Sequence, residues 1–412
     1  MVQSDRPLDG VRVCCSLRSS YPISNARTLK IAESLSAAGA EVRVLYVSPP
    51  DVPLPSGNFR AVRVGLRKAV EIRASHHRVR IVRVAYNLLV ATPLRTVLQW
   101  PRRYGFDGAL LRSMLEARAD VYHAYVLDTA VMARIAATVR RAKLIYDVRD
   151  FYVDSRRSGL TPPQVRFWSW AERHLSRSAD LVLAISEPMA DVIRSSSGSR
   201  RVATLLNGPW ECAHSVQPVR SPVRLLFQGY FEADRNLEAL IGAMEHLRGR
   251  ATLTLQGWGG IEADLRRLAD SLDLDGHVFF VPACGPSEVV KSARKYDVGI
   301  VCHRGSTLNH DIAAPNKLMD YIGAGLAVAG SNLPGIRSVI EPEGCGVLID
   351  PASAESIAVD LGAMLSDPEG LARMKAASVR ACRRLSWDVQ VRKLVGLYLG
   401  LLAKGKHGGV AA

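Results

Sequence analysis

The sequence predicts an α/β protein made of two doubly wound halves. Three observations lead there. Short apolar runs of strand length alternate with helical-period segments along most of the 412 residues, which calls for parallel sheets covered by helices on both faces. The alternation breaks once, over residues 208–222, in a run of turn formers (Gly-Pro-Trp-Glu-Cys-Ala-His-Ser-Val-Gln-Pro-Val-Arg-Ser-Pro) that reads as a linker. It then restarts. The expected domains are 1–217 and 218–385, with a terminal helix over 386–412. Two such halves imply a ligand cleft between the carboxyl ends of their strands.

The elements follow in order. Val11–Ser16 is apolar and short, a strand. Ala26–Ala38 repeats apolar residues at helical spacing (Leu29, Ile31, Ala32, Leu35, Ala38) and stops at Gly39. Glu41–Val47 is the next strand. A basic insertion containing Val84–Trp100 follows. Strands ending at His123 and spanning Lys143–Tyr146, Leu181–Ile185 and Val202–Leu206 alternate with helices over Ala130–Thr138, Trp168–Ser176 and Pro188–Arg194. After the linker, strands are expected at Arg224–Gln228, Thr252–Gln256, Val278–Val281, Val298–Cys302, Leu326–Ala329 and Gly346–Ile349. Helices are expected at Leu237–Leu247, Ile261–Ser271, Ser287–Lys295 and from Pro315, with two more, Ala354–Leu365 and Trp387–Leu402, finishing the chain.

Composition narrows the class. Hydrophobic residues make up 48% and charged residues 23%, as in a globular protein with sizeable cores. The seven cysteines are odd in number, scattered and without a Cys-x-x-Cys pair, so they are expected to be reduced core thiols of a cytoplasmic protein, with no zinc site. No signal-peptide pattern precedes Val11 and no apolar run reaches membrane-spanning length. The net charge of +15 is uneven: residues 1–217 carry 32 of the 54 Lys+Arg but 18 of the 39 Asp+Glu. Between Arg60 and Arg103 the only acid is Glu71. Cations there flank the apolar stretch Tyr86–Ala91, so one reading is peripheral contact with an anionic membrane at its inner face, and the other is a solvated basic surface. Nucleic acid is not expected, because the cations are not interleaved with stacking aromatics.

The most informative stretch is 314–335. Pro315 can open a helix, because the first helical position needs no N–H. Gly323 and Gly325 can close it. Asn316, Lys317 and Asp320 then lie in its first turns, where amides and a cation hold phosphate and a carboxylate holds vicinal hydroxyls. Complementing the helix dipole or capping the helix would be the plainer role for each. Gly257 and Gly259 follow a strand, where a backbone could approach a ligand closely. Asp273-Leu274-Asp275 precedes Gly276 and reads as a turn, not a metal site.

Several segments, in order, carry a resemblance. They are Tyr21-Pro22 with Asn25-Ala26-Arg27, His123 to Asp128, Tyr146-Asp147-Val148-Arg149-Asp150, Ala179-Asp180, Ile185-Ser186-Glu187, Asn207-Gly208, Gly229 to Glu238, and Pro315-Asn316-Lys317-Leu318-Met319-Asp320-Tyr321. With these the whole chain resembles glycosyltransferase family 4, whose two Rossmann-like domains face a central cleft in the architecture called GT-B. The resemblance implies a retaining transferase that moves a sugar from a nucleotide-diphosphate sugar to a hydroxyl acceptor, lipid-linked or soluble. Its terminal helix would cross back to the first domain. No cofactor or metal is implied.

By the same resemblance, Gly229, Arg235, Gly257, Asn316, Lys317, Leu318 and Asp320 bind the donor, with Asp320 on the ribose and Arg235 on the diphosphate. His123 contacts the transferred sugar and, with Asp128, stands at the catalytic positions. Arg27, Arg149 and Asp150 line the acceptor side. A satisfied buried histidine and structural capping are the alternatives for His123 and Asp128. Three positions depart from the family pattern: Ile312 stands where a first Glu is common, Tyr230 where an Arg follows the strand glycine, and Tyr125 where the motif has its second His. Rival readings are a nucleotide-sugar 2-epimerase on the same architecture and a catalytically impaired pseudo-transferase that only binds nucleotide.

Overall fold

The computed structural model describes residues 6–18, 26–48, 52–64, 107–156 and 159–406. The predicted membrane-facing stretch, Tyr86–Ala91, and the motif residues Tyr21, Pro22 and Asn25 lie outside them. The chain divides into two compact units, one within Met1–Leu183, Ile193–Ala203 and Val395–Ala412, the other within Ala184–Val192 and Thr204–Leu394.

Among the described residues the first sheet has seven strands: β1 (Arg12–Arg18), β2 (Glu41–Val47), β3 (Arg60–Val64), β4 (Val121–Ala124), β5 (Lys143–Val148), β6 (Leu181–Ala184) and β7 (Val202–Thr204), in spatial order β3-β2-β1-β4-β5-β6-β7. The pairings β1–β2, β1–β4, β2–β3 and β4–β5 are parallel. Between the strands run α1 (Ala26–Ala37), α2 (Gly108–Ala117), α3 (Leu127–Arg140), α4 (Tyr152–Arg156), α5 (Pro162–Ser178) and α6 (Glu187–Ser197). The strands are nearly continuous apolar runs because helices cover both faces; β4 and β6 are buried at every position.

The second sheet has six strands: β8 (Val223–Tyr230), β9 (Ala251–Trp258), β10 (Val278–Pro282), β11 (Val298–Val301), β12 (Ala327–Ser331) and β13 (Gly346–Ile349), in order β10-β9-β8-β11-β12-β13. Every pairing in it is parallel. Its helices are α7 (Leu237–Ala243), α8 (Glu262–Ser271), α9 (Val289–Ala293), α10 (Leu308–Ile312), α11 (Asn316–Ala324), α12 (Pro334–Glu343), α13 (Ala354–Leu365), α14 (Pro368–Leu385) and α15 (Trp387–Lys406). Each sheet reverses strand order once, at β1/β4 and at β8/β11. Together the two sheets make the two-Rossmann GT-B fold.

Three expectations need correction. The described residues end in three helices, because 368–385 is also helical. Asp367 caps it by accepting from the Gly370 N–H at 2.7 Å, and Pro368 occupies the first turn. Its inner face buries Lys375, whose Nζ meets the buried Asp297 carboxylate at 2.8 Å, an ion pair no local pattern reveals. The cysteines are not all reduced: Cys212 and Cys382 form a disulfide across 170 residues, while Cys14, Cys15, Cys284, Cys302 and Cys345 are free. The linker lies against α14 and α11, with Ala213 N–H bonded to Gly323 O at 2.7 Å, and this packing brings the two thiols together. Finally, α11 ends at Gly325 alone, which takes φ +76°. Gly323 sits inside the helix, where Pro209 and Glu211 of the linker leave no room for a Cβ.

Candidate functional site

Ligands of open α/β sheets bind outside the carboxyl ends of the strands where strand order reverses. In the second unit that point is β8/β11, and three elements deliver nitrogen groups to it. Arg235 lies in a 3₁₀ turn (Ala233–Arg235) just past β8, His303 just past β11, and Lys317 on the second residue of α11. Arg235 Nη1 donates to His303 Nδ1 at 3.1 Å, and its Nη2 donates to Glu232 Oε2 at 3.3 Å. Lys317 Nζ sits 3.7 Å above the Phe227 ring. His310 extends the cluster: its Nε2 lies 3.0 Å from Asp234 Oδ2, its Nδ1 3.2 Å from Ser306 Oγ, and its ring meets His303 edge-on.

Crowding decides the protonation states. Burial, then Lys317 and Arg235, push His303 down to about 2, so it is a neutral acceptor for Arg235. Burial and Arg235 bring Lys317 down to about 7. Positive groups held together against their own repulsion are stabilised by an incoming anion, and a doubly charged phosphate group suits them. Gly229 is required here. Its φ is +138°, and a Cβ on it would stand 3.3 Å from Lys317 Nζ.

The other donor-side candidates separate. Asp320 lies beyond the first turn of α11, where no acid occurs, so dipole complementation does not explain it. It is partly exposed on the same nine-residue helix as Lys317. Asn316 Oδ1 accepts from Asn207 Nδ2 at 2.7 Å and so ties the start of the linker to α11. Leu318 offers a ligand little: its side chain is fully buried and its N–H is bonded to Pro315 O at 3.0 Å. The glycine at 257 has a reason inside the sheet, since a Cβ there would fall 1.8 Å from Gly229 O. Ile312 is buried, and its carbonyl accepts from the Ser186 hydroxyl.

In the first unit, most of the proposed contacts turn inward. His123 has no exposed surface. Burial holds its ring neutral, so Nε2–H faces Asp147 Oδ2 at 3.4 Å and Nδ1 accepts from the Tyr398 hydroxyl at 2.8 Å. Its ring stacks on Tyr125 with 4.6 Å between centroids. Arg27 is buried too and grips Asp147 with Nε and Nη2 at 3.0 Å. Despite burial, Arg27 and His123 keep the Asp147 carboxyl below its usual range. Arg27 and His123 thus belong to one internal polar chain through Asp147. Asp128 is nearly buried and pairs with Arg18 Nε at 2.8 Å, while its Oδ1 has no hydrogen-bond partner among the described residues. Arg149 is partly buried and Asp150 exposed, following Val148, the last residue of β5.

Sequence reasoning passed over His303, His310 and Asp234. A histidine directly after a buried strand at the reversal point was a usable signal for the first. The other two enter only through tertiary contact.

Comparison with known proteins adds the family. Residues 24–209 match the model of a glycosyl transferase 4-like domain and residues 215–380 that of glycosyl transferases group 1. The chain is 27% identical over 186 residues to a D-inositol 3-phosphate glycosyltransferase of Thermomonospora curvata, covering 45% of this chain and 41% of that relative. It is 22% identical to the alpha-D-kanosaminyltransferase of Streptomyces kanamyceticus over 89% of this chain and 97% of the relative. Against the phosphatidyl-myo-inositol mannosyltransferase of Mycolicibacterium smegmatis the identity is 24%, over 90% and 89% of the two chains. The fold matches sucrose-phosphate synthase from Thermosynechococcus elongatus (TM-score 0.72, 16% identity, 96% and 100% covered). It also matches Anabaena HepE in complex with UDP (TM-score 0.67, 13% identity, 95% and 100% covered). With both family models matched in order along one GT-B chain, this protein belongs to the family 4 type of glycosyltransferase enzymes.

Proposed function

We propose that the protein transfers a sugar, with retention of anomeric configuration, from a nucleoside-diphosphate sugar to a hydroxyl acceptor. The observation that carries this is the cluster of Arg235, Lys317 and neutral His303 at the β8/β11 reversal, with Asp320 further along α11. Arg235 and Lys317 hold the diphosphate and take up the charge that develops on it as the bond to the sugar breaks. Asp320 accepts from the ribose hydroxyls. The leaving phosphate oxygen takes the proton of the acceptor hydroxyl, whose oxygen bonds the sugar carbon from the same face. The protein then mainly positions the two substrates.

No metal is needed on this account, because cations of the chain supply the stabilisation. A melting-point screen of nucleoside diphosphates and their sugars tests the reading, since a tight ligand raises the midpoint by mass action. At least one should raise it clearly, with or without EDTA. No rise with any of them would sink the donor site. Transfer abolished by EDTA and restored by magnesium would sink the metal-free account.

A catalytically impaired nucleotide binder has one observation in its favour, the buried Ile312 at a position where the family often has Glu. That reading predicts binding without transfer of labelled sugar. No described helix is long and apolar enough to cross a membrane. A lipid-linked acceptor draws support from the name of the mycobacterial relative and from the Arg60–Arg103 cations. Flotation with anionic liposomes at low salt should then carry the protein upward, and its absence would favour a soluble acceptor.

A further inference from the structure

Tyr230 and Trp258 are the last residues of β8 and β9 and pair in register. Their rings meet edge to face with 5.7 Å between centroids. Both remain exposed, at 44% and 59%. Large exposed aromatics beside a ligand crevice call for an explanation. The backbone beneath them is firm: Phe231 is buried and donates its N–H to Trp258 O at 2.8 Å.

Strand alternation fixes where the rings point. Gln228, two residues before Tyr230, donates to Val289 O at 3.2 Å and Ser292 Oγ at 2.9 Å on α9. Gln256, two before Trp258, donates to Pro282 O at 3.3 Å. Both rings therefore leave the sheet on its α9 side, the side on which α11, the helix that carries Asp320, also packs. Space is available there, since a Cβ added to Gly260 or Gly285 would meet nothing within 4 Å. Gly229, between Gln228 and Tyr230, faces Lys317.

We propose that Tyr230 and Trp258 form a stacking platform for the nucleobase of the nucleoside diphosphate. The inference rests on the donor site proposed above. With the diphosphate at Arg235 and Lys317 and the ribose at Asp320, the base is the next group along. It must leave the strand ends on the α9 side, where the rings stand. One ring offers its face and the other buttresses it edge-on. Stacking accepts any base, because every base has a π-face. An aromatic at 230 thus exchanges a phosphate contact for a base contact.

Calorimetry decides it, with UDP, GDP, ADP and inorganic pyrophosphate against the wild type, Tyr230→Ala, Trp258→Ala and Trp258→Phe. Because Trp258 and Tyr230 are exposed, the variants should melt like the wild type. For the nucleotide that binds best, each alanine variant should weaken affinity about tenfold. Trp258→Phe should recover most of the loss, and pyrophosphate should bind all four proteins alike. Unchanged nucleotide affinity in both alanine variants overturns the platform, as does an equal loss for pyrophosphate. If the wild type binds none of the four probes, the donor site itself fails and the platform with it.

Discussion

Replacing Arg27 by Met should cost about 3–5 kcal/mol of folding stability, the usual penalty for removing one partner of a buried ion pair. The Asp147 carboxylate is fully buried and would lose the two-pronged guanidinium grip, keeping the long contact from His123 and the more distant charge of Arg149. Urea denaturation measures the loss. Adding Asp147→Asn should restore part of it, because the remaining buried group is then neutral. The pH dependence has a definite sign. The carboxyl sits below its ordinary pKa in the folded wild type, so its stabilisation is present above the unfolded value and is lost as pH falls through the folded one. In the variant an unpaired carboxyl is buried more easily when protonated, so its deficit should narrow toward acid. A cost under about 1 kcal/mol, with transfer lost, would instead return Arg27 to the acceptor side.

Arg235→Ala and Asp320→Ala should each weaken nucleoside-diphosphate binding by about 1.5–3 kcal/mol, the range for hydrogen bonds to charged groups. Calorimetry that finds neither affected would remove the site. Lys317 adds a pH signature. Free, its ammonium is held down at about 7 by burial and by Arg235. A bound diphosphate favours the charged form, so binding takes up a proton above neutrality. Affinity should fall as pH rises from about 7 toward the ordinary lysine range, by up to tenfold per unit. Lys317→Met should flatten that slope. A wild-type slope of zero over this range would mean that Lys317 does not face the phosphates.

The alternation of apolar strand runs with helical-period segments was readable because each element depends on its own residues. Runs such as Val298–Val301 and Leu181–Ala184 must be buried on both faces, and that alone implies parallel sheets. The Pro315–Gly325 segment was readable for the same reason: proline before a helix and an αL glycine after it are local geometry. Arg235 and Lys317, named from motif order, do meet at one strand-order reversal. The helix at 368–385 carried a readable Asp-Pro start and was passed over.

His123 and Arg27 show the limit. From sequence, a histidine ending a strand near a cleft fits a sugar contact as well as a core network. Burial and partners are what bear on that choice, and both depend on residues far away, Asp147 and Tyr398. Gly257 is similar: its missing side chain is accounted for by the Gly229 carbonyl on the neighbouring strand. The Cys212–Cys382 disulfide spans 170 residues, and nothing local marks either cysteine for pairing. The sequence by itself determined the two doubly wound halves and the helix that carries Lys317 and Asp320, because periodicity, capping and turn chemistry act over a few residues. Only the tertiary structure decided which polar side chains turn inward and which cysteines join. Those outcomes depend on neighbours that become neighbours only when the sheets form.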